Sequence, residues 1–289
     1  MIKDTAKSIK TRLLNIAKKE GLDYQLLVIR YLYERLLYRL SVSEYRDKFC
    51  LTGGVLLYAF EKDFPRPTLD IDFLGMKIKN DIDTVKSVFI EILNITCDND
   101  GVLFDIVNVG AEEMNEGKVY HGVRVTFTAR LDSIRQSMKM DIGFGDVIIP
   151  TAQNLSYPTL MEELPVPDVL AYSLESVVAE KFQAMIELSE VNSRYKDFYD
   201  VYKILSTQQL DNAVLSDAIY ATFKNRGTSY HSNHPLFTES FMKDEIRNVQ
   251  WKRFLRKIKQ DENLSFEVVL NLITSRLRPI FEKLKDDKQ

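Results

Sequence analysis

Two aspartates two residues apart, Asp70 and Asp72, follow a Gly53-Gly54 pair within the stretch FCLTGGVLLYAFEKDFPRPTLDIDFL, residues 49–74. On a strand, residues i and i+2 share a face about 6.5–7 Å apart, so both carboxylates can reach divalent metal. Glycines at 53 and 54 leave backbone N–H groups open to phosphate oxygens, and a helix opening there adds the positive end of its dipole. Together these groups can hold a metal ion and a triphosphate. The same residues also describe a half-buried strand whose acids face water after an ordinary Gly-Gly turn.

A third acid stands in Met138-Lys139-Met140-Asp141-Ile142-Gly143. Met138, Met140 and Ile142 share one face of a strand, and Lys139 and Asp141 share the other. Asp141 either completes the pair begun by Asp70 and Asp72 or is a solvent-facing strand acid. Asp146 is the fallback, past Gly145. Farther on, Ser173 caps a helix to about Leu188 whose apolar arc holds Leu174, Val177, Val178, Met185 and Leu188. Lys181 falls in the middle of that arc, either snorkelling at a domain edge or reaching a phosphate. A further helix runs from Asn192-Ser193 to Leu205. Asp197 lies inside its apolar arc and is the better partner for Lys181. Asp200 lies farther out and reads as a solvated or cap-supporting acid. Asp197 could orient Lys181 or act as base on an attacking hydroxyl; the sequence separates neither role.

The elements that must position these groups follow in order. Helices over 5–20 and 22–41 break at Gly21, the second covering the sheet with Arg30, Glu34, Arg35 and Arg39 interspersed. A strand at Phe49–Leu51, a helix over Val55–Phe60, a loop bounded by Pro65 and Pro67, and a strand over Thr68–Leu74 come next. In that strand Leu69, Ile71 and Phe73 oppose Asp70 and Asp72. Asn80–Leu93 is helical and Asp98–Gly101 is a turn. Val102–Val109 is a strand and Ala111–Gly117 an acidic loop. Tyr120–Arg130 pairs with Ser137–Phe144. Pro150–Pro167 is an irregular seam. From Asp168 onward the pattern is helical, with no clear strand: helices over 209–224, 237–259 and 264–284, a polar loop at Gly227–Pro235, and a frayed tail. This order predicts an α+β fold, a small mixed sheet with flanking helices plus a C-terminal helical domain. The division is 1–165 and 166–289.

Composition narrows the function. A net charge of −3 over 289 residues excludes a generic nucleic-acid binder, so any RNA contact needs a local patch. Lys252, Arg253, Arg256, Lys257 and Lys259, with Trp251 and Phe254 interleaved, form the most basic segment, either a solvated helix face or a docking surface for an RNA backbone. Cys50 and Cys97 read as reduced core residues of a cytosolic protein, and His121, His231 and His234 form no zinc cluster. The start MIKDTAKSIKTR does not resemble a secretory signal, and no apolar run is long enough for a membrane span.

G-G-x-x-L followed by R-P-T-x-D-I-D resembles the nucleotidyltransferase signature of the DNA polymerase β superfamily. MDIGFGD at 140–146, AEKFQAM at 179–185 and SRYKDFYDVY at 193–202 extend the likeness to the AbiEii/AbiGii family of minimal nucleotidyltransferase toxins, which includes the MenT toxins. The resemblance covers roughly residues 30–205. It implies a polymerase β-like core and a cytoplasmic enzyme. Asp70, Asp72 and Asp141 would be the Mg²⁺-holding carboxylates, Lys181 and an acid of the K-D-F-x-D motif, Asp197, active-site residues, and Gly53, Gly54, Arg66 and Thr68 the nucleotide contacts. It also implies NTP as substrate, the 3′ end of a tRNA as acceptor, a separately encoded antitoxin and a part in phage defence. Transfer onto a protein, or a catalytically idle nucleotide-binding or partner-binding protein, are the alternatives.

Overall fold

The computed structural model describes residues 2–60, 66–114 and 122–285. Pro65, the segment 115–121 with His121, and the last four residues lie outside the described residues. Contacts cluster into two units. Unit 1 comprises residues 1–145 and 152–172, and unit 2 comprises 146–151 and 173–289.

Unit 1 carries helices α1 (Ile2–Glu20), α2 (Tyr24–Ser41), α3 (Gly53–Leu57) and α4 (Ile82–Asn94). Its strands are β1 (Phe49–Thr52), β2 (Ile71–Gly75), β3 (Val102–Met114), β4 (Gly122–Leu131), β5 (Ile134–Phe144), β6 (Gln153–Ser156) and β7 (Asp168–Ala171). They form one mixed sheet in the order β3-β4-β5-β2-β1-β7-β6. β2 runs parallel to β5, and β1 parallel to β7; the other neighbours are antiparallel. Burial alternates cleanly along β4 and β5. Val123, Val125, Phe127, Met138, Met140 and Ile142 are buried, while Arg124, Thr126, Lys139 and Asp141 are not. A sheet with one face on the core and one face wet gives this period of two.

Helix α2 is the packing helix its density of apolar residues predicts. Asp23 caps it by accepting from the Leu26 N–H. Three of its interspersed charges, Glu34, Arg35 and Arg39, form ion pairs inside unit 1. Arg39 bonds the Asp100 carboxylate at 2.7 Å, and Arg35 pairs with Glu34 at 2.6 Å, all four buried. Asp100 thus does more than shape the 98–101 turn: its other oxygen accepts the Val102 N–H at 2.9 Å.

Several expectations are corrected here. Leu69 is 61% exposed and precedes β2, so Leu69 and Asp70 belong to the approach loop, and the strand alternation begins at Ile71. Leu74, on the same face of β2 as Asp72, is also buried, so that face is covered at its far end. The acidic stretch from Ala111 to Met114 continues β3 after a register shift between Asp105 and Gly110; its polar residues suit an edge strand. The proline-bearing seam contains β6, and Asp168–Ala171 is β7, a short strand that follows Pro165 and Pro167 and is too brief to show a period.

Among its described residues, unit 2 has helices and no strand. It holds α5 (Leu174–Leu188), α6 (Tyr195–Thr207), α7 (Asn212–Asn225), α8 (Glu239–Lys243), α9 (Glu245–Lys257) and α10 (Phe266–Lys283). Ser173 caps α5 as expected, accepting from the Ser176 N–H. The single helix expected over 237–259 divides at Asp244, whose carboxylate accepts from the Arg247 N–H and restarts the chain as α9. Phe182, Phe223, Phe237 and Phe281 cluster with rings 5.4–6.4 Å apart, and Trp251 meets Phe266 at 5.4 Å. These apolar clusters are the cores that α5 and α6 rest on.

Candidate functional site

In unit 1 the functional side chains stand in a row set by strand register. Thr52 on β1 is opposite Asp72 on β2. Asp72 is beside Asp141 on β5, Asp141 beside Arg124 on β4, and Arg124 beside Glu112 on β3. Directly opposed residues on neighbouring strands point to the same face. Hence two carboxylates, a guanidinium and a third carboxylate cross the open face in sequence.

Gly53 closes one end of that row. Its φ is +69°, a region that side-chain-bearing residues avoid. A Cβ placed there would lie 2.0 Å from Asp72 Oδ2. The Asp72 carboxylate therefore occupies the space a side chain at 53 would need. Gly54 serves differently: it is buried, and a Cβ there would stand 2.9 Å from Thr68 Cβ. The helix that opens on the two glycines is only five residues long, so its dipole contribution is smaller than the expected helix over Val55–Phe60 implies.

The loop bearing Asp70 is pinned from two sides. Thr68 Oγ1 donates to the Asp70 carbonyl at 3.1 Å, and the Tyr33 hydroxyl of α2 donates to the Leu69 carbonyl at 2.6 Å. Burial raises the Tyr33 hydroxyl pKa, and the charges of Asp70, Asp72 and Asp141 raise it further. Tyr33 is a contributor the sequence reading missed, since one tyrosine in an apolar helix carries no signal of its own. Arg66 is buried at 8% exposure, with Nη1 3.4 Å from the Pro67 carbonyl.

Each end of the acidic set has a cation beside it. Arg124 holds Asp141 through both of its oxygens, at 2.8 and 2.9 Å. Lys139 lies 3.4 Å from Asp70. Those bonds to Asp141, ahead of the more distant Glu112 and Asp70, raise the Arg124 pKa. Among the described residues no three His, Cys, Asp or Glu side chains are gathered closely enough to hold a metal ion as they stand. The donor chemistry nonetheless fits a hard divalent cation: carboxylates on adjoining strands, with a side-chain-free position at Gly53 against one of them. Arg124 and Lys139 now occupy lone pairs that a cation would use.

Unit 2 contains a separate charged cluster. Lys181 on α5 lies 2.8 Å from Asp197 and 2.8 Å from Asp200, both on α6. The pairing of Lys181 with Asp197 follows the helical-wheel expectation. The solvated reading of Asp200 is wrong: both acids are 1% exposed. Residues three apart on a helix are neighbours, so one ammonium can sit between them. Arg194 Nε reaches the second Asp197 oxygen at 2.8 Å. Helix α6 starts later than expected and lacks a side-chain cap; Asn192 accepts from the Arg194 N–H instead.

The remaining candidates fall elsewhere. Asp146 is taken up by Arg226, at 3.0 and 2.8 Å, within unit 2. Lys252, Arg253, Arg256, Lys257 and Lys259 are exposed on and just past α9, while Trp251 is buried. Arg256 bonds Glu262 at 2.7 Å. Cys50 is a buried free thiol; Cys97 is half-buried, and burial pushes its pKa up to about 11. No helix is long and apolar enough to cross a membrane.

Comparison with known proteins adds the following. The family model described as the nucleotidyl transferase AbiEii toxin of a type IV toxin–antitoxin system matches residues 35–272. No curated protein matches the chain. Among solved structures, a Helicobacter pylori chain provisionally described as a nucleotidyltransferase aligns with TM-score 0.48 and 14% identity, covering 93% of this chain and all of that one. JHP933 from Helicobacter pylori aligns with TM-score 0.48 and 15% identity, covering 92% of this chain and 96% of that one.

Proposed function

We propose, for a chain that belongs to the AbiEii nucleotidyltransferase toxin family of type IV toxin–antitoxin systems, that it moves a nucleoside monophosphate from an NTP onto the 3′ end of a tRNA. Membership carries the enzyme class, the NTP and a cognate antitoxin; the tRNA acceptor and the use of Mg²⁺ are the proposal. One observation carries the site assignment. The Asp72 carboxylate fills the space left by Gly53 and stands in register beside Asp141.

Asp70 and Asp72, with Asp141 beside them, would hold the Mg²⁺. When bound, such a cation neutralises charge on the attacking and leaving oxygens of an in-line displacement. Gly53, without a side chain, makes room for the Asp72 carboxylate and would let a phosphate oxygen approach the backbone N–H. Thr68 and Tyr33 hold the Asp70 loop at its backbone, Gly54 packs against Thr68, and Arg66 and Gly54 would contact the nucleotide. Asp141 orients the attacking hydroxyl. Lys181 takes up charge on the leaving pyrophosphate, an assignment supported by its motif. Asp197 is better suited to orienting Lys181 than to accepting a proton, because it is buried and already bonded to it at 2.8 Å. Asp200 shares that orienting role.

The test uses the intact chain with each α-³²P-labelled NTP, Mg²⁺ and total RNA. Label in the tRNA band, lost in Asp70→Ala and on chelation, is the expected result. Label on polypeptide would move the acceptor to protein. Binding of NTP with no label transferred would make the chain an idle binder. In cells, expression should arrest growth and Asp70→Ala should relieve it. Full toxicity of that variant at equal protein level would refute the catalytic account.

A further inference from the structure

The row across the open face of unit 1 contains a group that the proposed reaction leaves unexplained. Arg124 is flanked on both sides by carboxylates in register, Asp141 on β5 and Glu112 on β3. It binds Asp141 through Nε and Nη2, the bidentate fork that a guanidinium also offers to phosphate. The Arg124 side chain is 31% exposed and that of Asp141 17%, so the pair is wet enough to exchange. Glu112 is exposed and offers the guanidinium an alternative seat or a pivot.

We propose that Arg124 is the resident counter-ion of Asp141: a divalent cation entering the site must displace it, and the freed guanidinium then grips the nucleotide's phosphates. The inference rests on the reading of Asp70, Asp72 and Asp141 as the cation-holding set. Without the cation, Arg124 keeps Asp141 beside Asp72 by offsetting their mutual repulsion. With cation and nucleotide present, its charge is exchanged from carboxylate to phosphate, so the face stays balanced in both states. Lys139, 3.4 Å from Asp70, makes a looser version of the same contact with a single point charge.

The two roles of Arg124 predict opposite signs for one substitution. Mn²⁺ alone, followed by its electron paramagnetic resonance signal, should bind Arg124→Gln roughly three- to tenfold more tightly than the wild-type chain, the range that loss of one partly exposed competing ion pair allows. Mn²⁺ with non-hydrolysable α,β-methylene NTP analogues, followed by calorimetry, should show the analogue bound more weakly by Arg124→Gln, by about tenfold or more. Arg124→Lys, which keeps the charge but loses the fork, should fall between the two on both measurements. It carries the test if the glutamine variant does not fold. Mn²⁺ affinity that is unchanged or weakened in these variants overturns the proposal, as does analogue affinity that is unchanged. Asp72→Asn separates the two levels. If that variant binds Mn²⁺ as the wild type does, the cation-site reading fails and the Arg124 proposal with it. If it loses Mn²⁺ while Arg124→Gln shows no gain, only the Arg124 proposal fails.

Discussion

Both units bring carboxylates to a cation, and they do so under opposite conditions of solvent. In unit 1, Asp72 and Asp141 lie on the wet face of a sheet with Asp70 on the loop that leads into it, and the side chains of Asp70 and its neighbour Lys139 are each 35% exposed. In unit 2, Asp197 and Asp200 are 1% exposed around a Lys181 side chain that is 13% exposed. Partly exposed pairs gain little and are easily exchanged, because water competes for both partners. A buried pair repays its desolvation only while every member is present, so loss of one member strands the others. The first arrangement suits ligands that come and go; the second suits a group that must never move.

The largest expected effect follows from that contrast. Lys181→Ala removes the ammonium between two buried carboxylates, and should lower unfolding free energy by about 3–5 kcal/mol in denaturant titrations. Asp72→Asn should do the reverse. Its stability cost should stay under about 1 kcal/mol, because its charge is partly solvated and repelled by Asp141. Its transfer activity should fall by about 10²–10³-fold, as expected for removal of a group that stabilises transition-state charge. A Lys181→Ala variant of unaltered stability would break the distinction between the two clusters.

Which parts of this were legible in the sequence follows from the same physics. Period two and period 3.6 survive wherever one face is buried, so β4, β5, α5 and α6 could be read directly. Asp197 was placed by its angle on the wheel. Asp200 reads as solvated on the wheel because a wheel reports distance from the apolar arc, not the reach of a lysine from another helix. β6 and β7 have four residues each, too few for alternation to show. The Asp141–Arg124 contact depends on the register of the β4–β5 hairpin, which the two-residue turn at Asp132-Ser133 sets, and Asp-Ser is a weaker turn signal than the glycine-bearing pairs that usually mark such a loop. Tyr33 matters through its hydroxyl alone, while its ring is indistinguishable from the rest of an apolar helix.

A smaller effect sharpens the account of unit 1. Gly53→Ala adds a methyl group at 2.0 Å from Asp72 Oδ2 and forces a left-handed backbone on a residue that resists it. The strain should cost about 1–3 kcal/mol of stability. Because the methyl group displaces the Asp72 carboxylate, Mn²⁺ affinity should fall as well. Gly21→Ala has a similar φ of +67° but open space around it. It should show the backbone cost without any change in Mn²⁺ binding. Equal Mn²⁺ affinities in the two variants would show that Gly53 serves the turn and not the carboxylate.

The smallest effect concerns a titratable group in unit 2 that stands apart from the lysine cluster. His234 is buried; its Nε2 donates to the Ile186 carbonyl at 2.9 Å, and its Nδ1 accepts the Leu236 N–H at 3.2 Å. Both ring nitrogens are therefore committed in the neutral form, and a second proton on Nδ1 would face another N–H. Burial holds its pKa below the ordinary histidine value, and nearby His231 acts in the same direction. The unfolded chain consequently takes up the proton first as pH falls. Stability from this group is fully present above about pH 6.5 and is lost as pH drops toward the folded-state value. A single proton limits the slope to about 1.4 kcal/mol per pH unit. His234→Gln should flatten that slope in melts between pH 7.5 and 5 while leaving the unit 1 carboxylates untouched, so Mn²⁺ affinity at pH 7.5 should be unchanged. If the variant keeps the wild-type slope, the His234 proton is not the source of the acid sensitivity, and the commitment of both its ring nitrogens does not govern stability in this pH range.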